Sequence, residues 1–351
     1  MSLMIAQLSA QKASQRDLTA PLSDLEKELA PMARQILKHP SKAVKDSLNR
    51  LFVQRMMTIL KREDSYNYPF DSLKTVSRLF PEDQSFRIFT WGLTDFDREG
   101  TYRNTFYYGI VQRIYDVPGS PKKIVVIPLT DRLVKSNDIE TLVLTHQDWL
   151  GALYYHPKNT PYGVLTFEGK VARVSSLRGK KKMVPVKYYV LLGLSEHDIN
   201  YNYKVVDVLA FDPVDSNRVL FGAPIFYYGG YPRVRRVFRY SDNSPFSLNW
   251  REVITSSSAG VWKKKEKMIV YDHIDRTKKT NNNTSESQKV LTDGTQDAMF
   301  YHKKRFRDQR KGYFLTARNV RVYIPETDKY DPEVVRKQAR RAKRQLRREL
   351  N

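Results

Sequence analysis

The chain predicts a mainly β protein with a helical prelude and a basic C-terminal helix, and three observations carry that expectation. Leucines recur at three- and four-residue steps near the start, whereas after Tyr66 the period falls to two, with β-branched and aromatic residues between Gly, Pro, Asn and Asp. A helical period returns only after Glu333. No helical stretch of crossover length separates most of the strands, so the sheets are expected to be antiparallel, in a sandwich- or propeller-like arrangement.

Residues 1–20 form the first segment, mildly apolar and ending its opening run in small residues. It reads either as a frayed start or as the remnant of a secretory signal whose basic and apolar regions lie upstream. Residues 21–65 follow as a helical element. Leu22, Leu25 and Leu29, then Val44, Leu48 and Leu51, fall on single faces, with Pro31 and Pro40 dividing the region and Ser41 placed to cap a helix.

The β domain is expected over 66–274. Its strands are Phe86 to Trp91, Tyr102 to Tyr115, Ile124 to Leu129, Leu150 to Tyr155, Val186 to Gly193, Tyr203 to Phe211, Arg218 to Tyr228, Arg233 to Tyr240 and Lys267 to Ile274. The Pro213 to Asn217 turn makes a hairpin of Tyr203 to Phe211 and the strand that follows. Residues 275–297 are polar and read as a loop, 298–330 hold the last strands including Tyr313 to Ile324, and 331–351 form the basic helix with Val335, Ala339, Ala342, Leu346 and Leu350 as a thin apolar stripe. The tetrapeptide FYYG occurs at Phe106 and again at Phe226, which reads either as two equivalent hairpins of a duplicated unit or, the preferred reading in a chain with 22 Tyr and 16 Phe, as coincidence.

Charge is the strongest functional signal. The 351 residues carry a formal +23, and removing the last 21, with eight Lys/Arg and three Asp/Glu, still leaves +18. Such a potential draws anionic matter of any kind, which defines a partner class and no chemical identity. The chain has no Cys, which excludes disulfides, thiolate metal sites and thiol nucleophiles. It also lacks a phosphate-cradling glycine loop, a G-x-S-x-G elbow and an H-E-x-x-H pair. No cofactor and no metal site is expected, catalytic residues are unassigned, and the protein reads as non-enzymatic.

Weak constellations have bland readings. His146, Asp148 and His156, Glu196 to Asp198, and Asp272, His273 and Asp275 read as surface or turn groups rather than as metal ligands. Asp212, Asp215 and Asn217 lack calcium-loop spacing and read as an Asx turn.

The residues that point to a partner are cationic and aromatic. In Arg233 to Tyr240 a regular strand places Arg233, Arg235 and Arg239 on one face, about 6.6 Å apart, with Val234, Phe238 and Tyr240 on the other. Tyr102 to Tyr115 repeats the pattern with Arg103, Tyr107, Arg113 and Tyr115 on one side. These arginines are candidate anion contacts and Tyr107 and Tyr115 candidate surface aromatics. Arg340 and Arg344 of the terminal helix join them, with a solvated sheet face and a docked helix as the structural alternatives.

The run YNYPFDSLKTVSRLFPEDQSFRIFTWGL (Tyr66 to Leu93), EGTYRN (Glu99 to Asn104), YYVLLGL (Tyr188 to Leu194), VVDVLAFD (Val205 to Asp212) and VLFGAPIF (Val219 to Phe226) resembles an uncharacterised protein family common in Bacteroidota. The likeness spans roughly Tyr66 to Ile274, and the family tends to show Trp where this chain has Leu194. Its members read as exported, so the resemblance implies a periplasmic or outer-membrane-associated place and carries no activity or catalytic residue. The leading expectation is an envelope interaction or structural protein that presents a basic surface to peptidoglycan, lipid head groups or an acidic protein. A cytosolic RNA- or DNA-binding protein and an envelope hydrolase are the alternatives.

Overall fold

The computed structural model describes residues 15–309, apart from 97–102, 116–122, 133–138, 158–161, 176–179, 197–200, 213–214, 216, 229–230, 242–244, 257–262, 276–290 and 303–304. Two helices come first, α1 (Leu22–Lys38) and α2 (Lys42–Ile59). The strands are β1 (Ser77–Leu79), β2 (Phe86–Phe96), β3 (Arg103–Tyr115), β4 (Lys123–Thr130), β5 (Leu144–Thr145), β6 (Leu153–Tyr154), β7 (Leu165–Ser175), β8 (Lys180–Ser195) and β9 (Tyr201–Phe211). They continue as β10 (Val219–Phe221), β11 (Phe226–Tyr228), β12 (Tyr231–Arg233), β13 (Arg236–Ser241), β14 (Leu248–Ser256), β15 (Lys263–Asp275), β16 (Leu291–His302) and β17 (Arg305–Gln309).

Three sheets stack with the helices on one outer side. The first has the order β1-β2-β3-β4. The second runs β5-β10-β9-β8-β6, with β13 also on β9 and β7 also on β8, and the third runs β12-β11-β17-β16-β15-β14. All pairs are antiparallel except β11 with β17. The expected mainly β, antiparallel fold with helices at its N-terminus is therefore present.

Alternation along the strands explains the stacking. In β2, Phe89, Trp91 and Leu93 face α1 and α2, while Phe86 and Ile88 face the second sheet. In β8, Tyr189 and Leu191 face the first sheet while Tyr188, Val190 and Leu192 pack on Trp250, Ile269 and Met299 of the third. A strand buried on both faces has to be apolar at every position, which is why Tyr188 to Leu192 reads as an unbroken run. Near the first interface the chain bends at Gly151, with φ +76°, where an added Cβ would fall 2.5 Å from the Asp131 carboxylate.

Several boundaries differ from expectation for local reasons. Pro31 lies inside α1 without dividing it, at an exposed position on the outer side of the helix. Ser41 is the N-cap of α2 but makes no side-chain cap; its N–H instead donates to His39 Nδ1 at 3.0 Å. The stretch Arg218 to Tyr228 splits into β10 and β11, and the segment taken as polar loop to Asp297 already enters β16 at Leu291. The two FYYG strings lie in β3 of the first sheet and at β11 of the third, with no common hairpin. The strand Tyr313 to Ile324 and the C-terminal helix lie outside the described residues.

Helix α2 is the clearest correction. Val44 and Leu51, expected on its buried face with Leu48, are 39 % and 40 % exposed, while Lys45, Asn49, Phe52, Arg55, Met56 and Ile59 turn inward. The inner polar groups each meet a fixed partner: Lys45 Nζ donates to Thr94 O at 2.7 Å, Asn49 Oδ1 accepts from Trp91 Nε1 at 2.8 Å, and Arg55 pairs with Asp17 at 2.7 Å. Three such bonds select the rotation of the helix against a weak apolar periodicity.

The tyrosine content gives a pH prediction. Burial pushes the phenols of Tyr66, Tyr108, Tyr154, Tyr155, Tyr188 and Tyr189 above their ordinary value, and Tyr68 goes up to about 12 through desolvation and its bond to Glu26. A folded pKa above the unfolded one means stability that is intact below about pH 10 and lost as pH rises through the folded values. Phenolate absorbance should thus rise in two stages, exposed rings near pH 10 and the buried set together with unfolding. Smooth titration of every ring near pH 10 with native near-ultraviolet dichroism would contradict it.

Candidate functional site

The arginines expected on one strand face serve different places. The strand is broken between β12 and β13, and Arg235 turns into the core there, 0 % exposed. Its Nε meets Asp207 Oδ1 at 3.1 Å, Nη1 donates to Ile139 O at 2.5 Å and Leu142 O at 2.7 Å, and Nη2 donates to Phe221 O at 3.0 Å. Gly222, with φ +104°, leaves room for this fork, since a Cβ would come 3.2 Å from Nη2. Asp207 accepts in turn from Val208 N–H and from the Tyr154 hydroxyl, each at 2.9 Å, and that hydroxyl accepts from Trp149 Nε1 at 3.0 Å. Arg235 is thus a buried structural cation and not the surface anion contact that strand alternation predicts.

Its companions are mixed. Arg239 is exposed, with its guanidinium 3.7 Å from the Tyr201 ring centre, and Arg233 is half-buried. Arg236, on the opposite side of the strand, pairs with Glu140 at 3.3 Å. In β3 the expected outer side faces the second sheet: Tyr107 is 3 % exposed and its hydroxyl accepts from Glu196 N–H at 2.8 Å. Arg113 lies half-buried over the Phe211 ring at 4.0 Å, and burial lowers its pKa. Tyr115 packs beside it at the rim of the same core. Tyr107 is therefore no surface aromatic, because the second sheet covers that side of β3. The side chain of Arg103 and the whole of Arg340 and Arg344 lie outside the described residues.

The acidic and histidine candidates also resolve into local structure. Asp212, Asp215 and Asn217 form the expected turn, with Asn217 N–H donating to Asp215 Oδ1 at 2.9 Å. Asp148 pairs with Arg132 at 3.2 Å, while His156 Nδ1 lies 2.9 Å from Pro157 O. His273 Nδ1 sits 2.8 Å from the buried Asp297, and Asp272 is held by Ser247 N–H at 2.6 Å and Gln296 Nε2 at 2.8 Å. Among the described residues no three His, Asp or Glu side chains come together as metal ligands.

Cationic positions gather instead at the ends of two long β-ribbons. β7 and β8 pair over 11 positions, from Leu165↔Val190 to Ser175↔Lys180, and β14 and β15 pair from Leu248↔Tyr271 to Ser256↔Lys263. Each return strand opens on three consecutive lysines, Lys180 to Lys182 in β8 and Lys263 to Lys265 in β15. Residues 165–195 carry seven Lys/Arg against the single acid Glu168. The triplets stand in the sequence as plain KKK strings. Their significance depends on knowing that both lie at ribbon ends, which pairing alone reveals.

Compared with protein-family models, curated proteins and solved structures, the chain matches none.

Proposed function

We propose that this chain is a non-enzymatic interaction protein of the bacterial cell envelope, periplasmic or associated with the outer membrane, that presents a basic surface to an anionic partner. The observation that carries the reading is the pair of lysine triplets at the ribbon ends. Three arginines, by contrast, are bonded inside the fold: Arg235 on Asp207, Arg55 on Asp17, and Arg87 among carbonyls and rings. A planar guanidinium with five fixed donors suits dense internal bonding, whereas a hydrated ammonium on a flexible stem suits diffuse attraction to many anionic groups. The envelope place rests on the resemblance of Tyr66 to Ile274 to exported proteins.

Fractionation of the native host followed by recovery of bound material tests it. The chain should appear with the envelope fraction and leave its partner as salt is raised, because exposed charges are screened within about 8 Å at physiological ionic strength. Recovery with ribosomes or nucleoid would overturn the reading in favour of nucleic-acid binding. Turnover of a glycan by the purified chain would replace it with a hydrolase.

A further inference from the structure

The two ribbons leave the body in the same direction, and side-chain contacts at their bases fix this. Tyr155 N–H donates to Leu192 O of β8 and its hydroxyl donates to Leu248 O of β14, both at 2.9 Å, so Leu192 and Leu248 stand at one level. Nearer the lysines, Phe167, which faces Tyr188 in register, meets Trp250 edge to face at 6.2 Å. Passing from Leu192 to Tyr188 leads towards Lys180, and passing from Leu248 to Trp250 leads towards Ser256 and Lys263. At about 3.4 Å per residue, β7 runs some 27 Å beyond Phe167 and β14 some 20 Å beyond Trp250.

One end of the protein therefore carries two cationic ribbon ends at comparable reach. Consecutive strand positions alternate between the two faces of a ribbon, so each triplet places lysine positions on both of them. Lysine, without the fork that reads a single phosphate, matches a dense field of negative head groups. We propose that Lys180 to Lys182 and Lys263 to Lys265 form a two-armed docking site for an anionic lipid surface, an inference that rests on the anionic-partner reading and names the partner within it.

Each lysine near such a surface contributes on the order of fivefold in partitioning, so one triplet is worth on the order of 100-fold. The test is co-sedimentation of the full chain with vesicles of phosphatidylcholine alone or mixed with phosphatidylglycerol. K180A/K181A/K182A, K263A/K264A/K265A and their combination are compared at equal thermal midpoint. The unaltered chain should bind the mixed vesicles only, each triple variant should lose roughly two orders of magnitude, and the combined variant should fail to bind. Binding to neutral vesicles, or unchanged binding by the variants, would overturn the proposal. Duplex DNA and an acidic polysaccharide serve as separate probes: binding to either of them but not to vesicles removes the lipid and leaves an anionic partner standing, while binding to none removes both readings.

Discussion

Replacing Asp207 by Ala is expected to lower stability by about 3–5 kcal/mol, the cost of leaving a buried guanidinium without its counter-ion. The magnitude follows from the surroundings. Arg235 and Asp207 are both 0 % exposed, so neither charge can turn to water when the other is removed. The same substitution removes the acceptor of the Tyr154 hydroxyl proton, whose pKa is pushed far up by burial and then by the carboxylate beside it. A domain with about 5–15 kcal/mol of net stability would retain only part of it. Denaturant midpoints of D207A and, for the coupling, of D207L, R235M and the double D207L/R235M check this. Each single variant should fall steeply and the double variant should recover much of the loss, because apolar groups of similar volume restore packing without stranded charge. Single-variant losses below about 1 kcal/mol, or a double variant as weak as their sum, would show that the pair is not a coupled structural unit.

This pair also shows how far the sequence reaches. The β domain was legible because half-buried strands leave a period of two, and Tyr203 to Phe211 with its following turn became the hairpin of β9 and β10. Period says which residues share a face but not which face is covered. Tyr107 and Arg113 were rightly put on one side of β3, and that side was then buried by the second sheet. Arg235 needed still more: its inward turn depends on the break after β12, on Gly222 and on Asp207, 28 residues earlier in the chain. In α2 the same limit applied, since the acceptors of Lys45 and the donor to Asn49 come from β2. The ribbon lysines give no signal of their own in the sequence, because a KKK string at the start of a strand looks like any solvated run until its partner strand is known.

The second large effect is expected at Arg87, a buried cation bonded to no carboxylate among the described residues. Its Nε and Nη2 donate to Gln112 Oε1 at 3.0 and 2.6 Å, Nη1 donates to Tyr68 O at 2.7 Å, and Nη2 also reaches Ser65 O at 2.6 Å. The rings of Tyr66, Phe70 and Phe89 stand 5.1 to 5.7 Å away, and Gln112 Nε2 carries the network on to Leu60 O at 2.7 Å. One guanidinium thus joins the end of α2, the loop at 65–68 and the first sheet. R87A should cost about 3 kcal/mol or more, because the amide of Gln112 and two carbonyls lose charge-assisted partners in a dry site. R87K should also be destabilised, since an ammonium cannot span these acceptors with one planar fork.

A pH signature separates this from a simple packing loss. Burial lowers the Arg87 pKa to about 10, so between pH 10 and 12.5 the unfolded chain binds more protons at this group than the folded chain. Stability from this one group therefore rises with pH in that window, against the fall imposed by the buried tyrosines. Removing Arg87 takes away the opposing contribution, and the alkaline decline of R87A, normalised to its value at neutral pH, should be steeper than that of the unaltered chain. Parallel declines would mean that the guanidinium keeps an ordinary pKa in the fold, its carbonyl and amide acceptors offsetting the cost of burial.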